Sequence, residues 1–162
     1  MLNAHMSPRP SPITVGEAAP DFVLKDQNRA DWSLSDAVRK GDVVLCFYPM
    51  SFTGVCSTEM KCVDAEMAEW QKRGAQVVGV SCDSFAVQKA FADSMGLKQT
   101  LLADMHRSVC KAYGLYWADL NVSSRGTVVV GQSADGSGKV KWVQARQPGD
   151  AMKWGDVMAA LA

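Results

Sequence analysis

Net charge is the first thing this sequence lacks: 17 basic residues stand against 17 acidic ones over 162 positions. No run of like charges breaks that balance, so neither nucleic acid nor a membrane surface is expected as a partner. Long apolar runs are missing too. The most apolar stretches are strand-sized, such as Val43-Val44-Leu45-Cys46-Phe47, far short of the roughly 20 residues a membrane-spanning helix needs. The opening MLNAHMSPRPSP has no apolar h-region and is rich in proline and polar groups. Residues 1–12 are therefore expected as a disordered arm rather than a secretory signal, with residues 13–162 as one domain. Cysteine is present, but not in a framework of pairs: there are 5, at irregular spacing. That suits a reducing compartment, so a cytoplasmic protein is expected, and a conspicuously placed cysteine reads as chemical rather than structural.

What is present is an ordinary globular composition, 48% hydrophobic and 21% charged, long enough for one core. Strand and helix signals alternate. Asp21 to Leu24 reads as a short strand before a turn at Asp26-Gln27-Asn28, and Ser33 to Asp36 as a helix start with Gly41 as its stop. Asp42 to Tyr48 reads as a buried central strand bounded by Gly41 and Pro49. A loop leads to a long helix beginning near Cys56, with Met60, Val63, Met67 and Trp70 as its apolar stripe and Gly74 as its cap. The order then repeats: a strand over Gln76 to Ser81, a helix over Ser84 to Met95, a strand over Thr100 to Ala103, and a helix over Arg107 to Tyr113. Gly126 to Val130 and Lys139 to Val143 read as a hairpin, and Asp150 to Leu161 as a last amphipathic helix. Such an order predicts an α/β fold with a mixed sheet.

The informative segment is VVLCFYPMSFTGVCSTEMK, residues 43–61. A buried strand feeds a proline-containing loop, and Thr53 and Cys56 fall at the entry to the next helix. The first turn of a helix presents unpaired N–H groups and a partial positive charge, which favour a thiolate over a thiol. Thr53 can bring a hydroxyl beside the sulfur. Pro49 has no N–H, so it can roof the pocket without adding a competing donor.

Pro49-x-x-x-Thr53-x-x-Cys56, after a strand ending Phe47-Tyr48, resembles the signature of the peroxiredoxins of the alkyl hydroperoxide reductase and thiol-specific antioxidant class. Shorter stretches are similar as well: Gly16-Glu17-x-Ala19-Pro20-Asp21-Phe22, Glu59, Gly79-Val80-Ser81-x-Asp83-Ser84, Ala112-Tyr113-Gly114 and Arg125-Gly126-Thr127. The resemblance implies a thioredoxin-like fold, its mixed central sheet flanked by helices, in a homodimer. It also implies a thiol-dependent peroxidase that reduces hydrogen peroxide and organic hydroperoxides with no metal and no bound cofactor. Cys56 would attack the terminal peroxide oxygen and become a sulfenic acid. Arg125 would favour the thiolate and steady charge on the departing oxygen. Thr53 would orient the peroxide, Pro49 would shield the sulfenic acid, and Glu59 would help fix the arginine.

The chain departs from that pattern in three places. Gly54 stands where the family often has proline. No cysteine follows Cys110, which removes a resolving cysteine near the C-terminus. Cys62 lies six residues after Cys56, where relatives that resolve within this helix carry the second cysteine at five. Six residues put the two about 9 Å apart along the axis and on different sides, while a disulfide needs Cα atoms within about 7 Å. An external thiol is therefore expected to resolve the sulfenic acid: thioredoxin, a glutaredoxin-like protein or a low-molecular-weight thiol. A disulfide with Cys62 is the alternative, and Cys82 and Cys110 remain lesser candidates. A thiol–disulfide oxidoreductase on the same fold would need a second cysteine at position 59, which is glutamate. A cysteine hydrolase would have only His106 as base, a metal module lacks close ligand spacing, and a phosphatase would need arginine where Lys61 stands.

Overall fold

A computed structural model describes residues 3–161. Along the chain come β1 (Val23–Asp26), β2 (Asp31–Ser33), α1 (Leu34–Val38), β3 (Asp42–Phe47), α2 (Gly54–Ala65), α3 (Met67–Lys72), β4 (Ala75–Ser81) and α4 (Phe85–Met95). Then follow β5 (Thr100–Ala103), α5 (Ser108–Ala112), β6 (Tyr116–Trp117), β7 (Val122–Ser123), β8 (Arg125–Val130), β9 (Val140–Arg146) and α6 (Trp154–Ala160). Seven strands form one sheet in the order β2-β1-β5-β4-β3-β8-β9, while β6 and β7 make a separate ribbon. β3, β4 and β5 run parallel, and β1, β8 and β9 are antiparallel to their neighbours. The expected α/β architecture with a mixed sheet is the one adopted.

The central strands read as unbroken apolar runs because both faces of the sheet are covered. Alternation then sorts them. Val43, Leu45 and Phe47 pack with Val78, Val80, Leu102 and Val128 in one core, which α1 and α5 close. Val44, Cys46 and Tyr48 turn to the other core, closed by Met60 and Val63 of α2, Trp70 of α3, Phe91 of α4 and Val157 of α6. At the centre of the sheet, Phe47 pairs with Val80 of β4 on one side and Gly126 of β8 on the other. The antiparallel β8 thus delivers its first residue to the end of β3 where the chain leaves for α2.

Several expectations need correction. The turn at Asp26 is the bend of a hairpin: β2 returns along β1, Leu24 opposite Trp32, and three residues are too few to show a period. The long helix expected from Cys56 starts at Gly54 and breaks at Glu66, whose φ of −103° and ψ of 14° are not helical. The Val63 carbonyl at that break accepts the Trp70 indole N–H at 3.3 Å. β9 runs on to Arg146, and α6 starts only at Trp154.

The arm also differs from the disordered segment expected at residues 1–12, of which 1 and 2 lie outside the described residues. Asn3 bonds Val23 twice, its Nδ2 donating to the carbonyl at 2.9 Å and its Oδ1 accepting the amide at 3.0 Å. The Arg9 amide donates to Lys111 O at 3.1 Å, and its guanidinium clasps Glu17 at 3.0–3.1 Å. Composition registered the missing core residues of this stretch, but not the backbone partners that hold it.

Candidate active site

The loop after β3 turns through Pro49, Met50, Ser51 and Phe52 and enters α2 at Thr53, which has the extended backbone of an N-cap. Its side chain does not cap the helix. The Thr53 hydroxyl donates instead to the Met50 carbonyl at 2.8 Å. The amides of Gly54, Val55 and Cys56 are thus left without a side-chain acceptor at the positive end of the helix. Cys56 is the third residue of α2 and only 2% exposed. Pro49 and Ser51 are buried beside it in sequence, while Met50 and Phe52 stand out into solvent.

Arg125, the first residue of β8, reaches this sulfur from 69 positions away. It is 2% exposed, and all three of its guanidinium nitrogens are engaged. Nη2 donates to Cys56 Sγ at 3.0 Å, Nη1 to Glu59 Oε1 at 2.9 Å, and Nε to the Pro148 carbonyl at 2.9 Å. A fork fixed at three points has lost its rotamer freedom in advance, so its charge stays on the sulfur.

Glu59 lies one turn beyond Cys56 and is 1% exposed. Its other oxygen accepts from Arg146 Nη2 at 3.2 Å and from the Met152 amide at 2.5 Å. Arg146 is the residue that sequence reasoning missed. It pairs directly with Arg125 across β8 and β9, and like charges at that spacing repel. A buried carboxylate that binds one arginine with each oxygen removes the conflict. Arg146 also donates to Thr127 Oγ1 at 3.0 Å. The signal was the register of the β8–β9 hairpin, but the polar end of β9 hid how far that strand runs.

The loop is braced from the end of β4. Asp83 Oδ2 accepts the Ser51 amide at 2.8 Å and the Ser81 hydroxyl at 2.8 Å, and Tyr48 OH meets Ser51 Oγ at 3.2 Å. Gln88 of α4 adds a donor to Ser81 Oγ at 3.2 Å.

The other cysteines stand apart from this constellation. Cys62 is exposed on α2, away from the buried side that carries Cys56. Cys46 lies inside the sheet with Met152 Sδ 4.0 Å away, and burial, then the Glu59 charge, pushes its thiol up to about 12. Cys82 and Cys110 meet each other rather than Cys56. His106 is exposed. Among the described residues, no helix is long and apolar enough to cross a membrane.

The chain is similar to proteins named as hydroperoxide reductases and peroxiredoxins. The family model for the AhpC/TSA family matches residues 15–143. Alkyl hydroperoxide reductase E of Mycobacterium tuberculosis is 32% identical over 154 residues, 92% of this chain and 98% of that one. The reduced 2-Cys peroxiredoxin of Plasmodium vivax superposes with a TM-score of 0.82 at 26% identity, covering 93% of this chain and 81% of that one. Peroxidoxin BcpB of Mycobacterium tuberculosis superposes with a TM-score of 0.80 at 27% identity, covering 92% and 96%. The fold is therefore the thioredoxin-like one, and the chain belongs to the AhpC/TSA family, the peroxiredoxins.

Proposed function

We propose that Cys56 is the attacking thiol of a thiol-dependent peroxidase. One contact carries this reading: the Arg125 guanidinium 3.0 Å from the Cys56 sulfur, both nearly inaccessible. The thiolate attacks the terminal oxygen of a hydroperoxide, and the O–O bond breaks. Cys56 is left as a sulfenic acid, and the departing oxygen takes a proton and leaves as water or an alcohol. Arg125 stabilises the sulfur anion before attack and the oxygen charge during it. Thr53 donates its proton to Met50, so its oxygen can accept from the peroxide O–H. Pro49 shields the sulfenic acid, and Glu59 holds Arg125 in register.

Resolution falls to an external thiol, whether thioredoxin, a glutaredoxin-like protein or a low-molecular-weight thiol. Cys62 is exposed on the helix that holds Cys56 buried, so a bridge between them would require α2 to unwind. A thiol–disulfide oxidoreductase is disfavoured because position 59, where its second thiol would stand, is a carboxylate bound to two arginines. The family resemblance supports a homodimer, and five cysteines without a framework of pairs suit a reducing cytoplasm.

Intact mass after stoichiometric hydrogen peroxide, with a sulfenic-acid trap present, tests the nucleophile. One fast adduct is expected on Cys56 and lost in Cys56→Ser; an adduct that forms just as fast in that variant would overturn the assignment. Cys62→Ser tests the resolution step. Turnover with an external thiol should persist, whereas its loss would establish the Cys56–Cys62 disulfide.

A further inference from the structure

The sulfurs of Cys82 and Cys110 lie 3.8 Å apart, 28 residues apart in sequence. We propose that they form a second redox site, a dithiol that hydroperoxide converts to an intramolecular disulfide.

The fold holds the pair from both sides. Cys82 follows the end of β4, where the Asp104 amide donates to the Ser81 carbonyl at 2.8 Å and ties β4 to the segment leaving β5. Asp104 then accepts the amides of Val109 and Cys110 at 3.2 and 2.8 Å, which fixes the first turns of α5 and the sulfur it carries. Closing the bridge to about 2.0 Å is a movement of less than 2 Å, shared between two side chains.

Exposure divides the work. Cys82 is half-buried and open to a small oxidant, while Cys110 is fully buried. The Cys82 sulfur beside it, and then burial, push the Cys110 thiol up, so Cys110 keeps its proton. The Cys82 sulfur gives up its proton and attacks the peroxide; the O–O bond breaks, Cys82 becomes a sulfenic acid, and the departing oxygen takes up a proton and leaves as an alcohol or water. The Cys110 sulfur then attacks the Cys82 sulfur. The S–O bond breaks, the hydroxide leaves with the Cys110 proton as water, and one disulfide has formed for one hydroperoxide reduced.

A metal is the rival occupant, because Cys82, Asp104 and Cys110 place their ligand atoms within 4.8 Å of one another. Both carboxylate oxygens of Asp104 already serve the start of α5, however, and the set stops at three donors where a structural zinc site takes four.

The test uses the full chain, reduced, and the same chain carrying Cys56→Ser. Each is treated with excess hydrogen peroxide, alkylated, digested without reductant and mapped by mass. The peptides containing Cys82 and Cys110 should appear linked, lighter than their sum by two hydrogen atoms, and separate on reduction. Linkage in Cys56→Ser shows this site acting independently of the proposed peroxidase thiol. Full alkylation of both cysteines after peroxide would overturn the proposal, as would Cys82 linked to any other cysteine. One zinc ion retained on dialysis by the reduced chain, and lost in Cys110→Ser, would overturn it in favour of the metal.

Discussion

The Cys56 sulfur and the Glu59 carboxylate draw on the same guanidinium, and the two demands separate by substitution. Lysine at 125 keeps a positive charge but cannot hold sulfur, carboxylate and the Pro148 carbonyl at once. Arg125→Lys is expected to slow reaction with hydrogen peroxide by about 100-fold, the scale of losing one preorganised charge donor, with most of the stability kept. Stopped-flow peroxide consumption checks it, and an unchanged rate would remove Arg125 from the chemistry. Glu59→Gln shifts the loss to stability: its amide oxygen can accept from one guanidinium, its NH2 cannot accept from the other, and both lose their counter-charge. Urea denaturation should show about 3 kcal/mol of destabilisation, as for a buried ion network left unbalanced. Sequence carried this site as far as residues lie together or within a resemblance. Pro49, Thr53 and Cys56 occupy one loop and helix start, and Glu59 lies one turn on. Arg125 was named through its match to the family. Arg146 was out of reach because its place depends on strand register across a turn, and nothing apolar marks the end of β9.

Among the elements, boundaries suffered where a partner outside the segment sets them. The break at Glu66 accompanies a bond from the Trp70 indole to the Val63 carbonyl, and no local propensity announces it. The arm is the larger case, since its polar composition describes a chain with no core of its own. It is held by backbone groups of β1 and α5. Gly114 is the position that tests this. It has φ +68°, and a Cβ there would meet the Ser11 carbonyl oxygen at 1.9 Å. Gly96 has a similar φ of +66° with nothing within 4 Å, so it isolates the backbone strain. Gly96→Ala is expected to cost about 1 kcal/mol and leave the arm in place. Gly114→Ala should cost more and free residues 3–12, seen as faster exchange of the arm's bonded amides, Met6 and Arg9 among them. Equal exchange of the arm in both variants would mean that it is not held through Ser11.

On the scale of the whole molecule, the sheet carries ionisable groups into both cores, and this sets its response to alkali. Burial, then the Glu59 charge, raises the Cys46 thiol from its ordinary 9.0 to about 12. Burial raises the Tyr48 phenol from 10.0 to about 12. In the opposite core, burial raises Tyr113 well above its usual value. A folded state that holds its protons longer than the unfolded chain is stabilised below the unfolded value and loses that margin as pH climbs toward the folded one. The window therefore opens near pH 9 and closes near pH 12. Cys46 sits on the strand that pairs with both β4 and β8, and Tyr48 directly follows it with its amide bonded to Val80 O, so neither can reach water by a local opening. The loss should appear as one cooperative transition. The urea midpoint, followed by circular dichroism, is expected to fall steeply across that window. In Cys46→Ala the fall should be shallower across the lower part of that window, because one raised thiol is gone while Cys110 and the tyrosines remain to titrate. A midpoint that holds steady to pH 12 would mean that the thiol and the phenol exchange protons without opening the sheet, and that the core around β3 is wetter than its packing implies.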